Sequence, residues 1–236
     1  FLKKICRLFR FAHLRFDLGN FLGNDQKDQK KTLKRSKIES MRLLLLLLLC
    51  YPFLVTALNT KWIDAKQFIM GKAFNDTFAF YDRLPADREH NVTDAVWSLS
   101  RDTAGMYASF ETNTSRMSLN VTYLYNGCEM YHFPTSGVCG MDLYALDTTS
   151  KRWRWVSTTI KNEYPYSVNS MTVVPSNAMT KYKLHLPTYN GVVNLTIGVD
   201  ENAVIERYDD QKTKKILWYG TSITQGGVSS RPGQIF

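Results

Sequence analysis

Apolar and polar residues alternate with a period of two along much of residues 58–209, and this pattern restricts the fold more than any other feature. Residues 117–125 and 193–199 are clear cases, because nearly every second side chain is apolar. A period of two is typical of a strand with one buried face, and almost no helical periodicity accompanies it. Short strands separated by turn residues predict a mainly β fold, a jelly-roll-like sandwich of two sheets. Further strands are predicted at residues 106–111, 141–146, 153–159, 171–174 and 181–186.

The pattern changes near the carboxyl end of the chain. Residues 200–215 are rich in charged side chains, and residues 216–219 (Ile-Leu-Trp-Tyr) then form an apolar run without alternation. Such a run is typical of a strand buried on both faces of a parallel sheet. We therefore assign residues 58–209 to the sandwich and predict that residues 210–236 begin a second domain of α/β type.

A serine follows this apolar run, in residues 220–224 (Gly-Thr-Ser-Ile-Thr). Several hydrolase folds present a nucleophile in the turn after a strand, where the following backbone N–H groups can bind an oxyanion. Ser222 is therefore the candidate nucleophile, and the backbone N–H groups of Ser222, Gly226 and Gly227 are candidate oxyanion donors. The alternative is an ordinary strand-to-loop junction followed by a flexible glycine turn.

Residues 1–57 have the composition of a basic tail followed by a signal peptide. Residues 1–40 hold eleven Lys or Arg against four Asp or Glu, an excess of seven within a net charge of +9. The rest of the chain is nearly neutral, so no basic stripe predicts nucleic-acid binding. Residues 41–57 combine a positive start, a leucine-rich run and a Val-Thr-Ala end, the layout of a secretory signal peptide. We predict a secreted protein without a stable membrane span after cleavage and without residues 1–40; a signal anchor is the alternative.

The chain after residue 57 also resembles an exported glycoprotein in composition. Its two cysteines, Cys128 and Cys139, are eleven positions apart across a loop with Pro and Gly, and they predict one disulfide. His132 is the only histidine near them, so neither a metal site nor a cofactor is predicted. Five N-x-Ser/Thr sequons predict N-glycosylation, unless they accumulated by chance in a protein rich in Asn and Thr. The sequons begin at Asn75, Asn91, Asn113, Asn120 and Asn194.

Several short strings resemble the SGNH (GDSL-type) hydrolases. Residues 220–224 are similar to block I of that family, in which this Ser is the nucleophile. Residues 140–144 (Gly-Met-Asp-Leu-Tyr) match the Gly-x-Asp-Leu-Tyr motif of a β-sandwich module that precedes the catalytic domain in one subgroup. The resemblance covers about residues 62–236 and implies that residues 210–236 begin the α/β/α hydrolase domain. Other strings similar to the module lie, in family order, at residues 81–85, 96–105 and 186–192.

The chain departs from the family pattern in two respects. Thr221 stands where the family has the Asp of Gly-Asp-Ser; because that Asp is not the catalytic acid, Ser222 keeps its assignment. The later blocks, which supply a Gly and an Asn for the oxyanion hole and an Asp-x-x-His pair, do not occur in these residues. No histidine follows Ser222, and His90, His132 and His185 belong to the sandwich. We therefore expect a truncated product that lacks a general base and is inactive.

Two classes of function remain open. The first is a secreted serine esterase that hydrolyses acyl esters, with a small acyl ester or a decorated glycan as substrate. The second is a non-catalytic sandwich that binds carbohydrate or protein. An exposed aromatic row could stack on sugar rings, although Trp153 and Trp155, two apart on one predicted strand, are expected to face the core together. The aromatic residues concerned are Trp153, Trp155, Tyr164, Tyr166 and Tyr189.

Two further groups of residues have no assigned chemistry. Asp142 and Tyr144 of the motif are expected to fix a turn or a domain interface. Residues 231–233 (Arg-Pro-Gly) could bind an anionic group or could pair with the sandwich, and the sequence does not distinguish these alternatives.

Overall fold

Two antiparallel sheets form the framework of the described residues in the computed structural model. The structure describes residues 39, 40, 42, 59–160, 163–174, 178–209 and 216–235. The chain divides into two compact units, Phe1–Thr56 and Ala57–Phe236, and the two sheets belong to the second. The predicted tail and signal peptide thus lie outside the described residues, apart from residues 39, 40 and 42. Within the described ranges, no helix has the length and apolar character needed to span a bilayer.

Among the described residues, ten strands form the two sheets. One sheet has the order β1-β9-β4-β7, and the other has the order β10-β3-β8-β5-β6 with β2 paired to β3. All pairings are antiparallel. The strands are β1 (Thr60–Asp64), β2 (Ile69–Met70), β3 (Tyr107–Thr112), β4 (Met117–Tyr123), β5 (Met141–Asp147), β6 (Arg152–Thr159), β7 (Tyr166–Met171), β8 (Thr180–His185), β9 (Val192–Asp200) and β10 (Ile205–Arg207).

The sheets pack face to face around one hydrophobic core. Leu119 and Leu195 of the first sheet and Phe110, Leu143 and Leu184 of the second are fully buried in it. Each such side chain contributes roughly 1.5–3 kcal/mol on burial. The apolar positions of the alternating pattern are therefore the ones that face the core, and the prediction of a mainly β sandwich is confirmed.

Within residues 59–235, the described helices are short and connect or follow the strands. The helix α1 begins after Thr93, whose side chain accepts a hydrogen bond from the Val96 N–H at 3.4 Å. The α-helices are α1 (Asp94–Ser100), α2 (Thr135–Val138) and α3 (Ser222–Gln225), and 3₁₀ turns occur at Ala65–Phe68, Ala86–Arg88 and Pro232–Gln234.

The two tryptophans of β6 do not face the core, so that prediction is wrong. The pairing of β5 with β6 shifts register between Leu143 and Tyr144, and Trp155 lies opposite Tyr144 on the outer face. Trp155 is 51% exposed, and Trp153 is partly exposed beside it. Since β6 is an edge strand, its outer face can hold large aromatic side chains without a second layer over them.

The strand predicted at residues 216–219 is not present either. These residues lie outside any strand, and their side chains are 66–82% exposed. A strand buried on both faces requires neighbouring strands, and none of the described strands pairs with this segment.

Candidate active site

Ser222 is the first residue of α3, which directly follows the exposed residues 216–220. Thr221 precedes the helix with extended backbone and makes no side-chain capping bond. The helix ends at Gly226, whose φ of 99° lies in the left-handed region that glycine adopts at low cost. Ser222 is exposed, so the structure places the predicted nucleophile at the surface of a tight turn.

The three candidate oxyanion donors are in different situations. The Gly227 N–H donates to the Ser222 carbonyl at 2.7 Å, and the Gly226 N–H donates to the Ile223 carbonyl at 3.1 Å. Both donors are therefore engaged within the turn in this conformation. The Ser222 N–H stands at the first helical position, where a backbone donor has no intrahelical acceptor. The oxyanion role of all three groups stays a prediction.

Residues 221–235, here called the Ser222 segment, are held against the sandwich at three places. The first involves Gln225, whose Nε2 donates to Asp102 Oδ2 at 3.0 Å and to the Thr188 carbonyl at 3.1 Å. Beside it, the Tyr189 hydroxyl donates to the Ser222 carbonyl at 3.3 Å. The sandwich thus contacts the backbone of the candidate nucleophile directly.

Asp102 is a buried carboxyl at this first contact, only 3% exposed. Burial raises its pKa to about 7, while the nearby Arg83 guanidinium and the hydrogen bond from Gln225 act in the opposite direction. Arg83 also donates from Nε to the Asp102 carbonyl at 2.9 Å. Asp102 is therefore an acid that titrates near neutral pH next to the Ser222 turn.

The second contact lies in the middle of the Ser222 segment. Ser136 of α2 donates from its hydroxyl to the Ser230 carbonyl at 2.8 Å. The neighbouring Gly137 leaves no room for a side chain, because a Cβ there would lie 2.2 Å from the Ser229 carbonyl oxygen. The segment and α2 are therefore packed backbone against backbone.

The third contact involves the Gly-x-Asp-Leu-Tyr motif. Asp142 Oδ2 accepts from Arg231 Nε and from the Gly233 N–H, each at 3.2 Å. The Tyr144 hydroxyl donates to the Gly233 carbonyl at 3.3 Å, and the Arg231 guanidinium lies over the Trp155 ring, 4.9 Å from its centroid. Residues 231–233 thus pair with the sandwich, which is one of the two alternatives that the sequence leaves open.

The strings that resemble the family converge at this end of the sandwich. The Thr103 hydroxyl donates to the Pro187 carbonyl at 2.8 Å, and the Thr188 hydroxyl donates to the Gly137 carbonyl at 2.8 Å. Asn190 is fully buried and donates to the Tyr125 carbonyl at 2.9 Å. Asp102, Thr188 and Tyr189 lie in these strings, to which the sequence assigns no role. Nothing in the sequence indicates that these three residues contact the Ser222 segment.

No histidine is hydrogen-bonded to Ser222 among the described residues. His90 and His132 are exposed on loops. His185 lies opposite Asp142 in the pairing of β5 with β8, between the rings of Tyr107 and Tyr144. Burial lowers the pKa of His185 to about 4, so this imidazole is neutral at pH 7. These positions support the prediction that the sandwich histidines are not the general base.

The disulfide predicted between Cys128 and Cys139 is present in the structure. Its sulfurs lie in the core, where the Asn190 side-chain amide donates to Cys139 Sγ at 3.2 Å. No group of three or more His, Cys, Asp or Glu side chains that could hold a metal ion occurs in the part of the chain that the structure describes.

The five sequons differ in accessibility. Asn75, Asn91 and Asn194 are exposed, whereas Asn113 and Asn120 are partly buried. The Asn113 side chain also accepts a hydrogen bond from the Val204 N–H at 2.9 Å, which a glycan on its nitrogen would leave intact. Glycosylation at all five asparagines stays a prediction.

Comparison with known proteins identifies the family. Residues 60–205, more than half of the chain, match the family model GxDLY, the N-terminus of SGNH-hydrolase-type esterases. The chain therefore belongs to this family of β-sandwich modules associated with SGNH-type hydrolases. No curated protein sequence matches the chain.

One of the matching solved structures shares the fold. A protein of Bacteroides ovatus ATCC 8483, named for its likeness to GDSL lipases, has a TM-score of 0.68 at 24% sequence identity; the match covers 74% of this chain and 51% of that one. The chain thus spans about half the length of that protein. The salicylyl-acyltransferase SsfX3 from a tetracycline biosynthetic pathway has a TM-score of 0.45 at 12% identity, covering 66% of this chain and 43% of that one, a likeness too weak to carry an argument.

Proposed function

We propose that this chain is the amino-terminal part of a secreted SGNH-type serine esterase in which Ser222 is the nucleophile. The observation that carries the proposal is the position of Ser222: it is exposed at the start of a tight turn, and that turn is hydrogen-bonded to the family-specific strings of the sandwich. An ordinary loop junction gives no reason for these contacts.

The proposed chemistry is acyl transfer in two steps. Ser222 Oγ forms a bond to the ester carbonyl carbon while a general base takes the hydroxyl proton and returns it to the leaving alcohol. Water then attacks the acyl-enzyme carbonyl carbon, the same base transfers the water proton to Ser222 Oγ as its bond to the acyl carbon breaks, and the carboxylic acid leaves. No described histidine bonds Ser222, so the base belongs to the later family blocks, which these 236 residues do not contain. The chain by itself is therefore proposed to be inactive.

The proposed location and substrate rest on the sequence and on the exposure of Ser222. The signal-peptide layout of residues 41–57 and the three exposed sequons support export and glycosylation. Small acyl esters, including acyl groups on glycans, are the proposed substrates, because an exposed serine on a rigid turn is accessible to both.

Hydrolysis of p-nitrophenyl acetate tests this proposal. The 236-residue chain should release no p-nitrophenol above the buffer rate, whereas a longer form that continues into the later family blocks should turn over. Ser222→Ala in the longer form should remove nearly all of the enzymatic rate, because both covalent steps use that oxygen. Turnover by the 236-residue chain that depends on Ser222 would contradict the missing base.

A second candidate function is a carbohydrate-binding sandwich without catalysis. Tyr164 and Tyr166 are 46% and 65% exposed at the start of β7, an edge strand, and rings in such positions can stack on sugars. Retained glycan binding by a Ser222→Ala variant, with no esterase activity in any form of the protein, would favour this function.

A further inference from the structure

The Gly-x-Asp-Leu-Tyr motif sends alternate side chains in opposite directions. Met141 and Leu143 enter the core of the sandwich, whereas Asp142 and Tyr144 lie on the outer face of β5. Asp142 is nevertheless 0% exposed, because residues 231–233 cover it. An outward carboxylate that is fully buried needs partners, since burying an unpaired charge costs several kcal/mol.

Four donors satisfy Asp142, and they come from two parts of the chain. Trp155 Nε1 at 2.9 Å and the Thr158 hydroxyl at 2.5 Å donate to Oδ1, from within the sandwich. Arg231 Nε and the Gly233 N–H donate to Oδ2, from the Ser222 segment. The sandwich thus supplies two of the four donors, and the Ser222 segment supplies the other two. Among the described residues, Arg231 of the segment is the only cation bonded to Asp142.

Gly233 makes the fit specific. A Cβ at this position would lie 2.2 Å from Cε2 of Tyr144 and 2.9 Å from Asp142 Oδ2. Any larger residue must therefore push the backbone away from the motif. Asp142 and Tyr144 therefore accept a glycine at position 233, next to Arg231, and leave no room for a side chain there.

The contact with the motif is transmitted to Ser222 within the segment. Ile235 packs on Gly226, where a Cβ would lie 2.3 Å from the Ile235 side chain. The Ser229 N–H donates to the Gly226 carbonyl at 3.1 Å, and the Gly227 N–H donates to the Ser222 carbonyl at 2.7 Å. The turn that carries Ser222 is thus bonded to the part of the chain that the motif binds.

We infer that the Gly-x-Asp-Leu-Tyr motif is a receptor for residues 231–233 and that Asp142 is a positioning residue, which fixes the Ser222 turn through this contact. The docking stands on the geometry alone, whereas its consequence for catalysis rests on the proposed function. Asp142 contacts no substrate in this scheme.

Deuterium exchange of the 236-residue chain tests the docking. Arg231→Gln changes only the segment side of the site, and Arg88→Gln, in an exposed ion pair with Asp87, is the matched control. We expect Arg231→Gln to speed amide exchange across residues 221–230 by about tenfold or more, because removing one partner strands a buried charge. Exchange in β5 and β8 should stay unchanged, which excludes general unfolding. Faster exchange at residues 231–233 alone would overturn the positioning role, and unchanged exchange throughout would overturn the docking.

Gly233→Ala tests the shape of the site independently of charge. Gly127→Ala is its control, because a Cβ at Gly127 meets nothing within 4 Å. We expect Gly233→Ala to reproduce the faster exchange of residues 221–230 and Gly127→Ala to leave it unchanged. Equal exchange in the two variants would contradict the inference.

A double-mutant cycle assigns the effect to Asp142. Arg231→Gln should speed exchange of residues 221–230 far less in an Asp142→Asn background than in the wild type, because the buried charge is already gone. Additive effects of the two substitutions would mean that Arg231 acts without Asp142, which would overturn the assignment.

Catalysis in an active, longer form gives the last readout. We expect Arg231→Gln to lower kcat by about tenfold or more with KM within about twofold, because Ser222 is misplaced while substrate still binds. An unchanged kcat with faster exchange would overturn the catalytic consequence and leave the docking intact. If Ser222→Ala retains full activity, the proposed function fails, and the exchange experiments still decide the docking.

Discussion

At the scale of single residues, Asp102 links the protonation state of the protein to the Ser222 turn. Its carboxyl is buried, accepts a hydrogen bond from Gln225, and has a pKa of about 7 because burial disfavours the charged form. The folded state therefore holds this proton more tightly than the unfolded state does. The resulting contribution to stability is complete below about pH 4 and is lost as the pH rises through about 7.

We expect the free energy of unfolding to fall between pH 5 and pH 8 more steeply in the wild type than in Asp102→Asn, by up to about 2–3 kcal/mol. His185 acts in the opposite direction, because its lowered pKa gives stability that is present above pH 6.5 and lost as the pH falls through about 4. Comparing variants at each pH removes that background. Urea unfolding at the two pH values measures the difference, and Asp87→Asn, at an exposed carboxylate, is the control. Parallel pH profiles for Asp102→Asn and the wild type would refute this account.

At the scale of elements, alternation predicts those strands whose inner and outer faces differ in polarity. The strands β4, β5, β8 and β9 appear within two residues of their predicted ends. Residues 171–174 were predicted as a strand, whereas β7 is Tyr166–Met171, with Ser167 buried and the apolar Val168 exposed. Because a polar side chain is buried and an apolar one is exposed at these positions, hydrophobic periodicity cannot locate β7. The short edge strands β1 and β10 and the helix α1 also lack a periodic signal long enough to detect.

Some parts of the candidate site depend on residues close together in the sequence, and others depend on pairs that are far apart in it. Ser222, the Cys128–Cys139 pair and the motif at residues 140–144 are visible in the sequence because each depends on neighbouring residues or on family strings. The pairing of Asp142 with Arg231 joins positions 89 apart, and that of Asp102 with Gln225 joins positions 123 apart. Nothing in a single sequence specifies such pairs, because only the fold brings them together.

The loop closed by Cys128 and Cys139 is an element whose stability can be measured. We expect alkylation of the native chain to label neither Cys128 nor Cys139 unless the chain is first reduced, and mass spectrometry reads the difference. Replacing both cysteines by Ala should lower the free energy of unfolding by about 2–3 kcal/mol, because the unfolded chain gains freedom. Two thiols that are freely alkylated in the native secreted chain would contradict the disulfide.

At the scale of the whole molecule, the sandwich holds the short Ser222 segment against one of its ends. Residues 221–235 contact α2, β5 and the loop after β8, whereas residues 216–219 make an exposed apolar stretch just before them. Exposed clusters of large apolar side chains favour association. The chain therefore combines a well-held turn with a surface that favours self-association.

We expect Leu217→Asp to reduce self-association, because it puts a charge in the middle of this apolar stretch. Val193→Asp is the control, at an exposed apolar residue on another part of the surface. Both substitutions belong in a chain that begins at residue 58, which removes the leucine-rich run of residues 43–49. Sedimentation velocity at equal concentrations gives the oligomer distribution. A Leu217→Asp variant that sediments like the wild type would show that residues 216–219 do not drive association.

The disulfide also makes the Ser222 segment sensitive to the redox conditions around the chain, because it closes the loop on which the segment rests. Cys139 directly precedes Gly140 of the motif, and the loop that it closes carries Ser136 and Gly137, on which residues 229 and 230 rest. Thiols stay reduced in the cytosol and pair in the secretory pathway. Mild reduction should therefore raise deuterium uptake in residues 221–235 before the strands respond. Under the proposed function, a newly made chain would hold Ser222 loosely until it reached an oxidising environment, and it would not hydrolyse the esters of the cell that makes it.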